Sequence, residues 1–165
     1  MNIDATKINL GPCFLTFDSN ELGATAGGVN IIGEMKTREI KCDQSGETVL
    51  KEIVTGASLQ VQTSLLEMDL AKIGLFPNVN SNTFYDGTGL DLLDVSKALV
   101  VTPVADEGVI WTIAKAALKA NFTINNDSEN PRALGVTFSC YPDTSATRTA
   151  YGYPIAVISE LGGGS

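Results

Sequence analysis

Residues 58 to 65 read Ser58-Leu59-Gln60-Val61-Gln62-Thr63-Ser64-Leu65 and alternate at period two. Ser58, Gln60, Gln62 and Ser64 share one face of an extended strand, opposite Leu59, Val61, Thr63 and Leu65. One face meets a core. The other is polar at four consecutive positions yet carries no charge, whereas a face that only has to stay soluble is more commonly built from Lys and Glu.

Upstream, residues 29 to 42 form a long extended stretch. Asn30, Glu34, Lys36 and Arg38 fall on one side of the pleat and Val29, Ile31 and Met35 on the other, after a break at Gly27-Gly28 and before a bend near Ile40. Asp43-Gln44-Ser45-Gly46 is a turn signal, and strand-like Thr48 to Thr55 follows as far as Gly56. The N-terminal PCFLTF run at 12 to 17, with Asp18-Ser19-Asn20-Glu21 behind it, reads as a hairpin.

Downstream, Ser64-Leu65-Leu66-Glu67 matches a capping box and predicts a short helix over about residues 65–74, ended by Gly74 and Pro77. Residues 77 to 94 read as a surface loop. Lys97 to Pro103, the turn Ala105 to Gly108, and Val109 to Ile113 predict a second hairpin. AKAALKA at 114 to 120 has helical propensity, but the alternation through Ile124 favours strand. After a loop at 125 to 131, Leu134 to Cys140 alternates again, and Tyr151 to Ser159 closes the chain as an apolar strand. The fold class is mainly β: an antiparallel sandwich or barrel of about eight strands with one flanking α-helix. Residues 1–161 read as a single domain and residues 162–165 as a flexible Gly/Ser tail.

Composition narrows function. The 165 residues carry 44% hydrophobic and 18% charged side chains, too apolar for a disordered chain. The absence of histidine removes His-based triads and His-ligated zinc. Cys13, Cys42 and Cys140 are odd in number and lack CxxC spacing, which predicts small buried thiols in a reducing compartment. The close carboxylate pairs, Glu67 with Asp69, Asp91 with Asp94 and Asp106 with Glu107, are explained by capping, loop and turn. Asp86, Asp91 and Asp94 lack the spacing of a calcium loop. No cofactor is implied. No apolar run is long enough for a membrane span, and residues 1 to 11 lack the pattern of a signal peptide, so the chain is expected in a cytoplasm. A net charge of −8 opposes tight nucleic-acid binding. Trp111 with Tyr85, Tyr141, Tyr151 and Tyr153 invites comparison with a sugar platform, but Trp111 beside Ile110 and Ile113 reads as a core or interface residue.

The order of segments carries a resemblance. GPCFLTFDSNELGATAGGV from residue 11, REIKCDQSGETVLKEIVTG from residue 38, LQVQTSLLEMDLAKI from residue 59 and NFTINNDSENPRALGVTFSCYPD from residue 121 together resemble the tail tube proteins of tailed bacteriophages, over residues 8 to 145. Type VI secretion tube proteins share that architecture. Cys42 and Cys140 depart from the small or hydrophobic residues the pattern favours.

The resemblance implies a non-enzymatic subunit that assembles with itself into homo-hexameric rings, stacked into a hollow tube in a virion tail and built in the cytoplasm of a bacterial host. Its partners would be the tail initiator, tape-measure and terminator proteins and a sheath where one is present, with DNA passing through without specific binding. Asp43, Gln44, Ser45 and Gly46 take the position of the family's inter-ring loop. Ser58, Gln60, Gln62 and Ser64 become lumen-facing candidates, joined by Glu34, Glu47 and Glu52 as lumen acids and by Lys36 and Arg38 as their counter-charges. Other readings are the inner tube of a secretion or injection apparatus and a monomeric β-sandwich binding module.

Overall fold

The computed structural model describes residues 11–161 except 68, 105–107, 127 and 130–132, and gives the backbone alone for 120–123 and 125. The Ala105 to Glu107 turn, part of the 125 to 131 loop, the chain start and the Gly/Ser tail therefore lie outside the described residues.

The strands are β1 (Cys13–Phe17), β2 (Asn20–Glu21), β3 (Thr25–Ile40), β4 (Lys51–Leu65), β5 (Val79–Asn80), β6 (Thr83–Phe84), β7 (Lys97–Pro103), β8 (Gly108–Asn125), β9 (Ala133–Tyr141) and β10 (Ala156–Leu161). Among the described residues one α-helix, α1, spans Leu70–Ile73. Eight strands form one antiparallel sheet in the order β2-β1-β7-β8-β9-β4-β3, with β10 paired to β8. The 18-residue β8 carries β10 along Gly108 to Ile113 and β9 from Lys115 onward, while β7 pairs its other edge. It is one continuous strand where the sequence reads two.

The sheet curls until β1 meets β3. Inside lie Leu15, Val61, Leu99, Ile113, Leu134 and Phe138, all 0% exposed. Phe17 of β1 and Phe138 of β9 touch across this core with ring centroids 5.1 Å apart, a tilted contact that suits the ring quadrupoles. The alternation of β4 holds: Val61, Thr63 and Leu65 are buried between half-buried Gln60, Gln62 and Ser64.

Four sequence expectations change. The helix is four residues long and starts later, because Ser64 is still in β4, paired with Ala26 and Gly135. Asp69 caps it instead, accepting from Lys72 N–H at 2.9 Å, and Glu67 accepts from Ala24 N–H at 3.2 Å. Gly56 does not end a strand, since the extra residue Thr55 is absorbed as a bulge opposite Lys36 and Thr37. The last strand starts at Ala156, with Tyr151 in a turn closed by Thr149 and Gly152. Cys42 is exposed and Cys13 half-buried, which leaves Cys140 as the one buried thiol.

Candidate functional site

The antiparallel register decides which side chains share a face. Gln60 pairs with Ile32 on β3 and Ser139 on β9, and Gln62 pairs with Asn30 and Thr137. Ser58 pairs with Glu34. Across β9, Ser139 and Thr137 pair with Ala117 and Lys119 of β8. This face is therefore uncharged and polar across β4 and β9, half-buried at Gln60, Gln62, Ser64 and Thr137 but covered at Ser139 (9% exposed) and Ala117 (1%), with Glu34 on the β3 side and Lys119 on the β8 side.

Thr137 and Ser139 are the β9 members of this face, and sequence reasoning assigned them no role. Their signal was present in the alternation of Gly135, Thr137 and Ser139 against Leu134, Val136 and Phe138. At one end Gly27 and Gly28 take φ of +72° and +81°, allowing β3 to carry two extra residues opposite Thr63, whose Oγ1 donates to the Gly28 carbonyl at 3.0 Å. A cleft of about 340 Å³ opens over this bulge beside Asn30, Gln62 and Ser64.

Beyond Gly33 and Leu59, β3 and β4 leave the body as a two-stranded arm with its residues exposed on both faces. Such a ribbon is marginal in water unless something covers it. Met35 (65% exposed), Val54 (55%) and Ile53 (48%) lie along it. Glu34, Lys36 and Arg38 alternate along β3 on the side of the polar band. Glu52 does not join them: the bulge at Thr55 turns it to the opposite face, where it pairs with Glu39.

Asp43, Gln44, Ser45 and Gly46 form the arm's tip. Asp43–Ser45 make one turn of 3-10 helix, and Gly46 leaves it at φ +61°. Ser45 Oγ accepts from Cys42 N–H at 3.2 Å, and the base of the loop is closed by Leu50 N–H donating to Ile40 O at 2.9 Å. Hydrogen bonds from the Ser45 hydroxyl and N–H hold the Cys42 thiol below its ordinary pKa. Glu47 stands at the tip, 3.7 Å from Lys41 Nζ, and shares that cation with Glu39 at 3.8 Å.

Among the described residues no three His, Cys, Asp or Glu side chains converge as a metal site. Asp86 and Asp91 each accept a backbone N–H two residues on, from Thr88 and Leu93. Trp111 packs half-buried against the core. No helix among the described residues is long and apolar enough to cross a membrane.

No protein-family model and no curated protein matches this sequence. Solved structures do share the fold. A chain of the extended-state sheath-tube complex of an extracellular contractile injection system, PVC, aligns with TM-score 0.59 and 8% identity, covering 92% of this chain and 90% of that one. A chain of the extended-state PVC sheath/tube terminator aligns with TM-score 0.57 and 9% identity, covering 92% and 96%. The overall fold of this chain is thus one found among components of a contractile injection system.

Proposed function

We propose that this chain is a non-enzymatic structural subunit of a tail-type injection apparatus. It assembles with copies of itself into stacked hexameric rings that form the hollow tube of a phage tail. The observation that carries this reading is the β3–β4 arm: a ribbon exposed on both faces, with Met35, Ile53 and Val54 uncovered, at the open edge of a sheet. A free edge and exposed apolar side chains are aggregation hazards in a monomer and joining surfaces in a closed ring. The fold shared with sheath-tube and terminator structures supports it.

In this reading the band of Ser58, Gln60, Gln62, Ser64 and Thr137 lines the lumen. The band itself is uncharged and stays wet, so passing phosphates meet cations only at its margins, at Lys36 and Arg38 of β3 and Lys119 of β8. Asp43 to Gly46 reach the next ring, and the particle is built in a bacterial cytoplasm for a virion tail. The same likeness favours a second reading, the inner tube of a contractile injection system without a genome to deliver.

Sedimentation velocity across a concentration series tests the proposal. The native chain is expected to form ring-sized or larger species, and Val54→Asp to remain a folded monomer. A native chain that stays monomeric at every concentration, with added tail initiator as well, would overturn it.

A further inference from the structure

Two strand edges lie in neighbouring columns of the sheet and are left unjoined. β4 pairs with β9 along Leu59 to Leu65 only, so its edge from Lys51 to Ser58 has no strand beside it there. β10 pairs with β8 along Ala156 to Leu161 and with no other described strand. It sits on the side of β8 that β9 occupies, because β7 holds the other edge over the same residues. β10 also has the direction of β9, both being antiparallel to β8, and takes up β8 at Ile113 where β9 leaves it at Lys115. The loop between them is pinched at its base, where Asp143 N–H donates to Pro154 O at 2.8 Å. β10 therefore prolongs β9, and a β4 that ran straight on would lie antiparallel beside it.

The alternation of core-facing residues sets the register such a pairing would take. Leu59, Cys140 and Ala116 form one core-facing row across β4, β9 and β8. On β10 the core-facing positions are Ala156, paired with buried Ile113, then Ile158, paired with Trp111, then Glu160. On β4 beyond Leu59 they are Ala57, Val54 and Glu52, since the bulge at Thr55 moves the alternation on by one. Lys51–Ala57 without the bulged Thr55 thus offers six residues to the six of β10. Ala57 meets Ala156, Val54 meets Ile158, and Glu52 meets Glu160. Without the bulge Thr55 would meet Ile158 and Ile53 would meet Glu160.

Apolar burial favours the pairing and charge opposes it. Val54 and Ile158 are each 55% exposed. Side by side they would cover one another, while the two free edges would satisfy each other's N–H and C=O groups. Glu52 already stands opposite Glu39, so closure would line up Glu39, Glu52 and Glu160 across three strands. Lys41, at 3.8 Å from Glu39, is shared with Glu47 and leaves that row acidic.

We propose that the arm is a strap poised to close in cis: β4 from Lys51 to Ala57 zips onto β10 of its own chain, and the row of Glu39, Glu52 and Glu160 holds it open. The bulge at Thr55 is the device that puts Val54 in step with Ile158. Closure needs no second copy. On the reading of this chain as a self-assembling subunit, which this part of the proposal rests on, the closed strap takes the arm away from neighbouring copies and is a brake on assembly.

Disulfide trapping of the full-length chain at high dilution tests the strap. Cys42→Ser removes the exposed native thiol, and Val54→Cys with Ile158→Cys sets a pair at the expected contact. Oxidation of a mixture of isotope-labelled and unlabelled chains, read by peptide mass spectrometry, is expected to give a 54–158 disulfide within single chains. Ile53→Cys with Ile158→Cys, on opposite faces, is expected to trap only at the background rate. Adding Glu160→Lys to the first pair is expected to speed trapping about fivefold. The trapped chain is expected not to assemble until it is reduced. No 54–158 disulfide with or without Glu160→Lys, equal trapping of the two pairs, or a disulfide that joins labelled to unlabelled chains would overturn the strap. Assembly of the trapped chain at the rate of the reduced one would overturn the brake. A chain that traps as expected yet never assembles would count against the tube reading and leave the strap standing.

Discussion

Glu39 of β3 stands directly opposite Glu52 of β4, on the face of the arm turned away from the polar band. Like charges at a cross-strand pair oppose pairing. Lys41 answers one of them at 3.8 Å from Glu39, and it also answers Glu47. At this pair the arm's own side chains oppose its strand pairing rather than support it. Replacing Glu52 with lysine converts the repulsion into an attraction. Amide hydrogen exchange across residues 33 to 57 is expected to slow in Glu52→Lys while the body is unchanged; faster exchange would contradict the register.

The thiols report the same geometry. Cys42 is exposed at the arm's tip with its pKa lowered by Ser45, whereas burial pushes Cys140 up to about 11. Alkylation at pH 8 is expected to label Cys42 first and Cys140 only on unfolding, and Ser45→Ala to slow the Cys42 rate. Linkage gives the sign for Cys140. Its ordinary pKa is 9.0, so above pH 9 the unfolded chain loses a proton that the folded chain keeps. Stability from this group is complete below pH 9 and falls as pH rises toward 11. Cys140→Ala should show a shallower decline over that window.

Gly23 is fixed by its neighbour. It takes φ +79°, and a Cβ there would collide with the Glu67 carboxylate that accepts from Ala24 N–H. Gly23→Ala is expected to cost about 1–3 kcal/mol, from left-handed strain together with displacement of Glu67. Phe138→Ala, which empties the contact with Phe17, should cost about 3–5 kcal/mol. Urea midpoints measure both, and a loss below about 0.5 kcal/mol in either would place those contacts wrongly.

The polar band tests function. Gln60→Lys with Gln62→Lys puts cations into the band between Ser58 and Ser64, which is otherwise uncharged. In virions carrying this pair, tubes are expected to assemble at normal length and DNA ejection to slow. Unchanged ejection kinetics would remove β4 from the lumen.

The parts legible in sequence were those set by period. Ser58 to Leu65 showed its faces because each apolar residue meets one core, and Lys97 to Pro103 was bounded correctly for the same reason. Local motifs misled where tertiary pairing outbid them. Ser64 and Glu67 have capping-box spacing, but Ser64 is held by two strands and Glu67 by Ala24, so the helix waits for Asp69. A bulge is invisible to periodicity, and the one at Thr55 sent Glu52 to the wrong face of the reading. The two-residue hairpin of Val79–Asn80 and Thr83–Phe84 left no trace either, since a stretch rich in Asn, Gly and Asp reads only as a surface loop.

The central claim is that copies of this chain close into a ring with the β4–β9 band inside. Cryo-electron microscopy of particles assembled from the purified chain, on the tail initiator where nucleation requires it, tests that most directly. The account predicts stacked hexameric rings, a bore wide enough for a DNA duplex lined by Gln60, Gln62 and Thr137, and arms covered by neighbouring subunits. Rings with that band on the outside, or a monomer whose arm stays uncovered at every concentration, would contradict it.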